Sequence, residues 1–130
     1  MGINYLRTGA LFALFAVVLG AFGAHSLKSI VEPDKVSIFE TGVRYQFYHS
    51  FALIAVGLVM LHLPNAKLRM AGKLFSIGIF CFSGSLYLLA VRKVLSIDAL
   101  TIVLGPITPI GGLFFIAGWF YFYRGLGERG

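Results

Sequence analysis

Four long stretches of this chain contain no Asp, Glu, Lys or Arg: residues 8–27, 45–66, 74–91 and 99–123. Each matches the roughly 20 apolar residues that a helix needs to cross the hydrocarbon core of a bilayer. Together they occupy most of the 130 residues, so no length remains for a separate soluble domain. Only 12% of residues are charged, against about a quarter in soluble domains. An ordinary water-soluble fold is excluded. Unpaired backbone groups cannot sit in hydrocarbon, so crossings are made by helices or closed barrels, and runs this long predict helices. The expected fold is all-α, a single domain over residues 1–130. It is an integral membrane bundle of four transmembrane helices, spanning about 5–26, 45–63, 72–91 and 105–124.

The formal charge of +6 does not point to nucleic acid, because the eleven Lys and Arg are spread over short flanks instead of gathered on one face. Basic flanks of apolar spans set membrane topology. An even number of crossings puts both termini on one side. That side holds Arg7, Lys67, Arg69, Lys73, Arg124 and Arg129, and the other holds Lys28, Lys35, Arg44, Arg92 and Lys93. The small excess predicts cytoplasmic termini in a plasma membrane, the bacterial inner membrane. Arg7, the apolar run after it and the small residues Ala21 and Gly23 imitate a signal peptide. The charge-free run continues past that point and three more follow, so the segment is expected to stay as the first helix. Cys81 is the only cysteine and has no disulfide partner within the chain.

The connection before the second span has structure of its own. Pro33 suits the first turn of a helix, and Asp34 suits its positive end. Val36, Phe39, Val43 and Phe47 recur at spacings of three and four, which predicts a short interfacial amphipathic helix between the first and second spans. Glu40 and Arg44 stand four apart in the favourable order for an ion pair. Later, Pro106 and Pro109 remove backbone donors and disfavour helix just before them. The fourth helix is therefore expected to begin near Ile107 or Pro109. Small residues recur along the first span at Gly9, Ala13, Ala16, Gly20 and Ala24, and also in the third and fourth. Such stripes let helices pack where lipid offers no hydrophobic drive, or let copies of the chain associate.

Antiparallel threading gathers the polar features of the spans on the membrane side opposite the termini. His25, Glu40, Arg44, Gln46, His49, Ser83, Ser85 and Thr108 form the candidate ligand-binding cluster, under one headgroup layer. Arg44, Gln46, His49 and the turn at 83–85 are expected to line one cavity. Interhelical hydrogen bonding is the competing role for the same residues. His25 and His49 lie on consecutive helices near one interface, but two histidines without a third ligand do not define a metal or haem site. No cofactor is expected. No nucleophile elbow surrounds Ser83 or Ser85, so no catalytic residues are assigned.

Four ordered blocks span nearly the whole chain: GAFGAH at 20–25, FETGVRYQFYH at 39–49, FSGSLY at 82–87 and GPITPIGG at 105–112, followed by Gly118 and Trp119. In these blocks the chain resembles the YwdK/YgdD-like family of small bacterial inner-membrane proteins. The resemblance implies a multi-pass plasma-membrane protein, and it carries over no activity or catalytic residues. The function expected is therefore that of a non-enzymatic membrane protein whose polar half binds a lipid, a small amphipath or a partner subunit. Membrane lipids and a homo-oligomer are the expected partners. The alternative is an oligomeric small-solute transporter or channel, with a membrane enzyme or redox protein third.

Overall fold

A computed structural model describes residues 2–128. Helix α1 (Gly2–His25) leads through a single 3-10 turn (Leu27–Ser29) into α2 (Pro33–Met60). Helix α3 (Ala66–Ala90) is α-helical over Ala66–Gly78, π-helical over Ile79–Gly84 and α-helical again over Ser85–Ala90. A 3-10 turn (Asp98–Leu100) then opens α4 (Thr101–Leu126). The fold is all-helical. Gly2–Ser29, Ala66–Ala90 and Asp98–Leu126 are each long and apolar enough to cross a membrane. Their outward faces carry Leu14, Val17, Phe80, Ile102, Leu113 and Ile116, all exposed, which in water would be a large apolar surface without a partner.

Two of the expected elements differ. Pro33 does start a helix, as its fixed φ allows at the first position. No separate interfacial helix follows, because the amphipathic stretch and the second span are one uninterrupted helix of 28 residues. Val36, Phe39 and Val43 are buried within the bundle, against Leu27 and Ala90. The fourth helix also starts earlier than the prolines suggested, and both Pro106 and Pro109 lie inside it. Each proline frees one carbonyl, four residues back. The 3-10 turn at Asp98–Leu100 supplies the helix entrance in their place, and the α3 neighbour holds the segment through Ser85 and Thr108, whose hydroxyls lie 2.5 Å apart. Neighbouring helices and side-chain hydroxyls commonly support proline in membrane helices in this way.

The helices pair through small residues spaced by seven. On α1 the buried positions are Gly2, Gly9, Ala16 and Gly23. A Cβ on Gly9 would lie 2.7 Å from the Ser50 carbonyl oxygen, and one on Gly57 would lie 2.7 Å from that of Gly2. Backbone therefore touches backbone. On α4 the series is Gly111, Gly118 and Gly125, and it meets Phe82, Phe75 and Leu68 of α3, again seven apart and in reverse order. A strict seven-residue repeat keeps one seam in register along two helices. Of the expected α1 stripe, Gly9 and Ala16 belong to the seam, while Ala24 is exposed.

Helix α2 is central. It packs along α1 on one side and against α3 on the other, while α3 packs along α4. Two apolar clusters fill the interior. One is built on Leu53, Val56, Leu68, Phe75 and Phe115 toward the termini, and the other on Leu27, Phe39 and Val43 at the far end. Between them lies a belt of buried polar side chains.

Asn65 closes the terminal end. Its side-chain oxygen caps α3 by accepting from the Leu68 N–H at 3.0 Å, and its amide donates to the Gly125 carbonyl at 3.0 Å. The Tyr5 hydroxyl donates to the Arg69 carbonyl at 2.8 Å, and Lys67 pairs with Glu128.

Candidate functional site

The polar belt owes its position to the length of α2. His49 lies sixteen residues beyond Pro33, or about 24 Å down the helix axis. Gly42 and Gln46 stand above it at helical spacing. Gln46 and His49 therefore sit near the middle of α2, whereas His25 stands at the end of α1.

Gln46 joins three helices. Its amide nitrogen donates to the Phe12 carbonyl of α1 at 2.7 Å, and its oxygen accepts from the Tyr87 hydroxyl of α3 at 2.6 Å. Ser83, fully buried, donates to the Gly42 carbonyl at 2.7 Å. It comes from the π-helical segment, where the chain takes in an extra residue. The widened turn presents Ser83 to α2 while Phe82 meets Gly111 of α4. Ser85 and Thr108 join α3 to α4.

His49 completes the belt. Its ring stacks on Phe115, with centroids 3.5 Å apart and planes 7° from parallel. The Trp119 indole N–H donates to His49 Nε2 at 3.1 Å. An indole N–H can only donate, so Nε2 is the acceptor and Nδ1 carries the hydrogen. Nδ1–H donates to the Tyr45 carbonyl, with 2.7 Å between nitrogen and oxygen. Both ring nitrogens are committed to protein partners.

Among the described residues, no buried side-chain nitrogen or oxygen lacks a hydrogen-bond partner. The structure thus brings together Gln46, His49, Ser83, Ser85 and Thr108, but as connections between helices. They do not line one cavity with Arg44, which is exposed. Glu40 is exposed too, and Arg44 donates to Thr41 Oγ1 at 3.1 Å instead of pairing with Glu40. His25 ends α1, exposed. The continuity of α2 carries His49 far from it, so the two histidines do not meet.

A different cavity opens beside the belt. Helices α2 and α4 touch through side chains, and on the outer side of the His49–Phe115 stack they leave a lateral groove of about 570 Å3. Tyr45, Tyr48 and His49 form one wall, Phe115, Ile116 and Trp119 the other, and Phe82 with Gly112 lies between. The Tyr45 and Tyr48 hydroxyls make no hydrogen bond to the described residues. The groove is aromatic and contains no charged side chain. Of its residues only His49 belongs to the candidate cluster read from the sequence; Tyr45, Tyr48, Phe82, Gly112 and Trp119 stand in the signature blocks without an assigned role. The available signal was Tyr45, Tyr48 and His49 set against Phe115 and Trp119, both at helical spacing, but nothing in one sequence fixes their interhelical register.

At the far end of the bundle, Ser29, Lys35, Arg92 and Lys93 border a smaller cleft of about 350 Å3. Lys35 bonds to Asp34 at 2.9 Å, and this contact holds the Asp34 carboxyl below its ordinary range. Arg92 pairs with Asp98 at 3.3 Å.

An all-helical bundle with three helices apolar enough to cross a membrane, and with every buried polar side chain of its described residues bonded, defines a multi-pass membrane protein. A family profile described as "Protein of unknown function (DUF423)" matches residues 19–112. The UPF0382 membrane protein SH2409 of Staphylococcus haemolyticus is 41% identical over 88% of this chain and 88% of its own. The UPF0382 membrane protein YwdK of Bacillus subtilis is 40% identical over 88% of this chain and 89% of its own. A UPF0382 membrane protein of Haemophilus influenzae is 43% identical over 89% and 87%. The chain belongs to this DUF423, or UPF0382, family of membrane proteins, as its signature blocks indicated. No solved structure matches it.

Proposed function

We propose that this chain is a four-span protein of the bacterial inner membrane that holds one apolar chain, from a lipid or a small amphipath, in the groove between α2 and α4. In this reading α2 crosses the membrane with the other three helices. Its lower apolar content comes partly from Gln46, His49 and Ser50, which are buried against protein and need no lipid-like character, and partly from the exposed Glu40 and Arg44. The termini lie in the cytoplasm, following the excess of Lys and Arg on their side. No reaction is catalysed, since the belt's hydroxyls and imidazole are spent on structural bonds.

One observation carries the proposal. The groove opens sideways, presents aromatic faces, and is lined by two tyrosines whose hydroxyls bond to none of the described residues. An acyl or similar chain fills such a slot, and an ester or carbonyl oxygen satisfies the hydroxyls. Trp119 is the only tryptophan of the chain and lies in the groove wall, so it reports occupancy directly. Bilayers doped with chain-brominated lipid should quench its emission at mole fractions too low for random contact. Gly112→Leu should abolish that preference, because the nearest atom to a Cβ there is 4.0 Å away and the added side chain enters the groove. Quenching that rises only in proportion to brominated lipid, and equally in both proteins, contradicts the proposal.

A second reading, a small-solute transporter, is favoured by the depth of Glu40 and Arg44. Ionisable groups inside a membrane commonly mark substrate or proton paths. Flux into proteoliposomes that is lost in Glu40→Gln supports it, and flux equal to that of empty liposomes removes it.

A further inference from the structure

The contacts between helices fix how deep each residue of α2 lies. Gly9 meets Ser50 and Ile54, Gly20 meets Val43, and Gly23 meets Phe39, so Arg44 is level with residues 16–19 of α1. Gly42 meets Ser83, and Phe82 meets Gly111, so Arg44 is also level with Cys81 of α3 and Gly112 of α4. These positions are the middle of the charge-free runs of the other three helices. Residue 17 is about nine or ten residues from either end of its run, or about 14 Å. That is farther than an arginine side chain extends. Glu40 lies one turn away on the same face of α2.

Both side chains are exposed on the bundle. Among the described residues neither takes part in an ion pair. With Ser37, Thr41 and Tyr48 they make a polar stripe at spacings of four, three and four along the outer face of α2. Opposite charges at mid-depth, turned outward from a bundle whose other outer faces are apolar, need a covering surface of matching polarity. The glycine seams are consumed within the chain and offer no surface for it.

We infer that a second copy of this chain covers the stripe, in a dimer whose twofold axis lies along the membrane normal beside α2. Such an axis brings each patch onto itself. It sets the two α2 helices parallel, with Arg44 of one copy one turn away in height from Glu40 of the other. The stripe is its own charge complement, and two equivalent ion pairs form across the axis. A charge-neutral lipid tail offers neither partner. The inference rests on the proposed crossing of the membrane by α2 and is independent of the groove's contents.

Disulfide trapping in native membranes tests it. In a Cys81→Ala background, Ser37→Cys should give an oxidised dimer, and Phe22→Cys on the outer face of α1 should not. Glu40→Arg or Arg44→Glu alone sets like charges together and should reduce the trapped dimer at least fivefold. The double exchange, Glu40→Arg with Arg44→Glu, should restore it. Photobleaching of fluorescently tagged chains in bilayers should show two copies for the original chain and one for each single exchange.

Single photobleaching steps for the original chain overturn the dimer, as does trapping unaffected by the single exchanges. So does rapid reaction of Arg44→Cys with a membrane-impermeant maleimide, which would make the stripe a water-filled path. A spin label at 44 reporting headgroup depth overturns the crossing itself, and mid-depth with one copy overturns the dimer alone.

Discussion

His49 and Trp119 are bonded side chain to side chain across 3.1 Å, and this is the one described side-chain hydrogen bond that joins α2 to α4. Because His49 also spends Nδ1 on Tyr45, the pair fixes the imidazole tautomer and the wall of the lateral groove together.

Replacing Trp119 with Phe should keep the ring packing and leave Nε2 without its donor. Interhelical bonds in membranes contribute roughly 0.6 to 2 kcal/mol, so a loss of about 1 kcal/mol is expected in steric-trapping measurements of unfolding. His49→Phe should cost a similar amount. The double variant should cost less than the sum, since the two share one bond.

Gln46 is the bridge whose removal should be felt on three helices. Gln46→Leu leaves the buried end of Tyr87 unpartnered, and an orphaned hydroxyl costs about 1 to 3 kcal/mol. Adding Tyr87→Phe should recover part of the loss. Thermal aggregation in mild detergent, compared across the two single variants and the double, reads this coupling.

The glycine seams predict a sharp contrast between positions of the same residue type. At Gly118 a Cβ would lie 2.7 Å from the Phe75 ring, so Gly118→Leu should prevent stable folding. At Gly84 nothing lies within 4 Å, and its backbone is helical, with φ −58° and ψ −45°. Gly84→Ala should be neutral or stabilise by up to about 1 kcal/mol, from helix propensity alone. Yield and monodispersity on gel filtration separate the two.

The sequence carries the apolar runs, the helix start at Pro33 and the polar residues of the belt, because length, periodicity and proline geometry are local properties. The depth of α2 is not local. Charge-free residues 45–66 imply that Arg44 marks a membrane boundary, yet the glycine contacts slide α2 until Arg44 stands at mid-bundle. The same limit hid Trp119 as the partner of His49 and Tyr87 as that of Gln46. Both bonds depend on interhelical register, which rests on steric contacts at Gly9, Gly42 and Gly111 that no single segment reveals. Helix through Pro106 and Pro109 was obscured for a related reason, since the support comes from α3.

The depth of residue 44 decides the account most directly. In a Cys81→Ala background, nitroxide labels placed at 17, 44 and 112 in separate variants can be compared for collisional relaxation by oxygen and by a water-soluble nickel chelate. The account predicts one common depth, with oxygen dominating at all three positions. A label at 44 that is exposed to nickel like one at residue 28, while 17 and 112 stay buried, would contradict it.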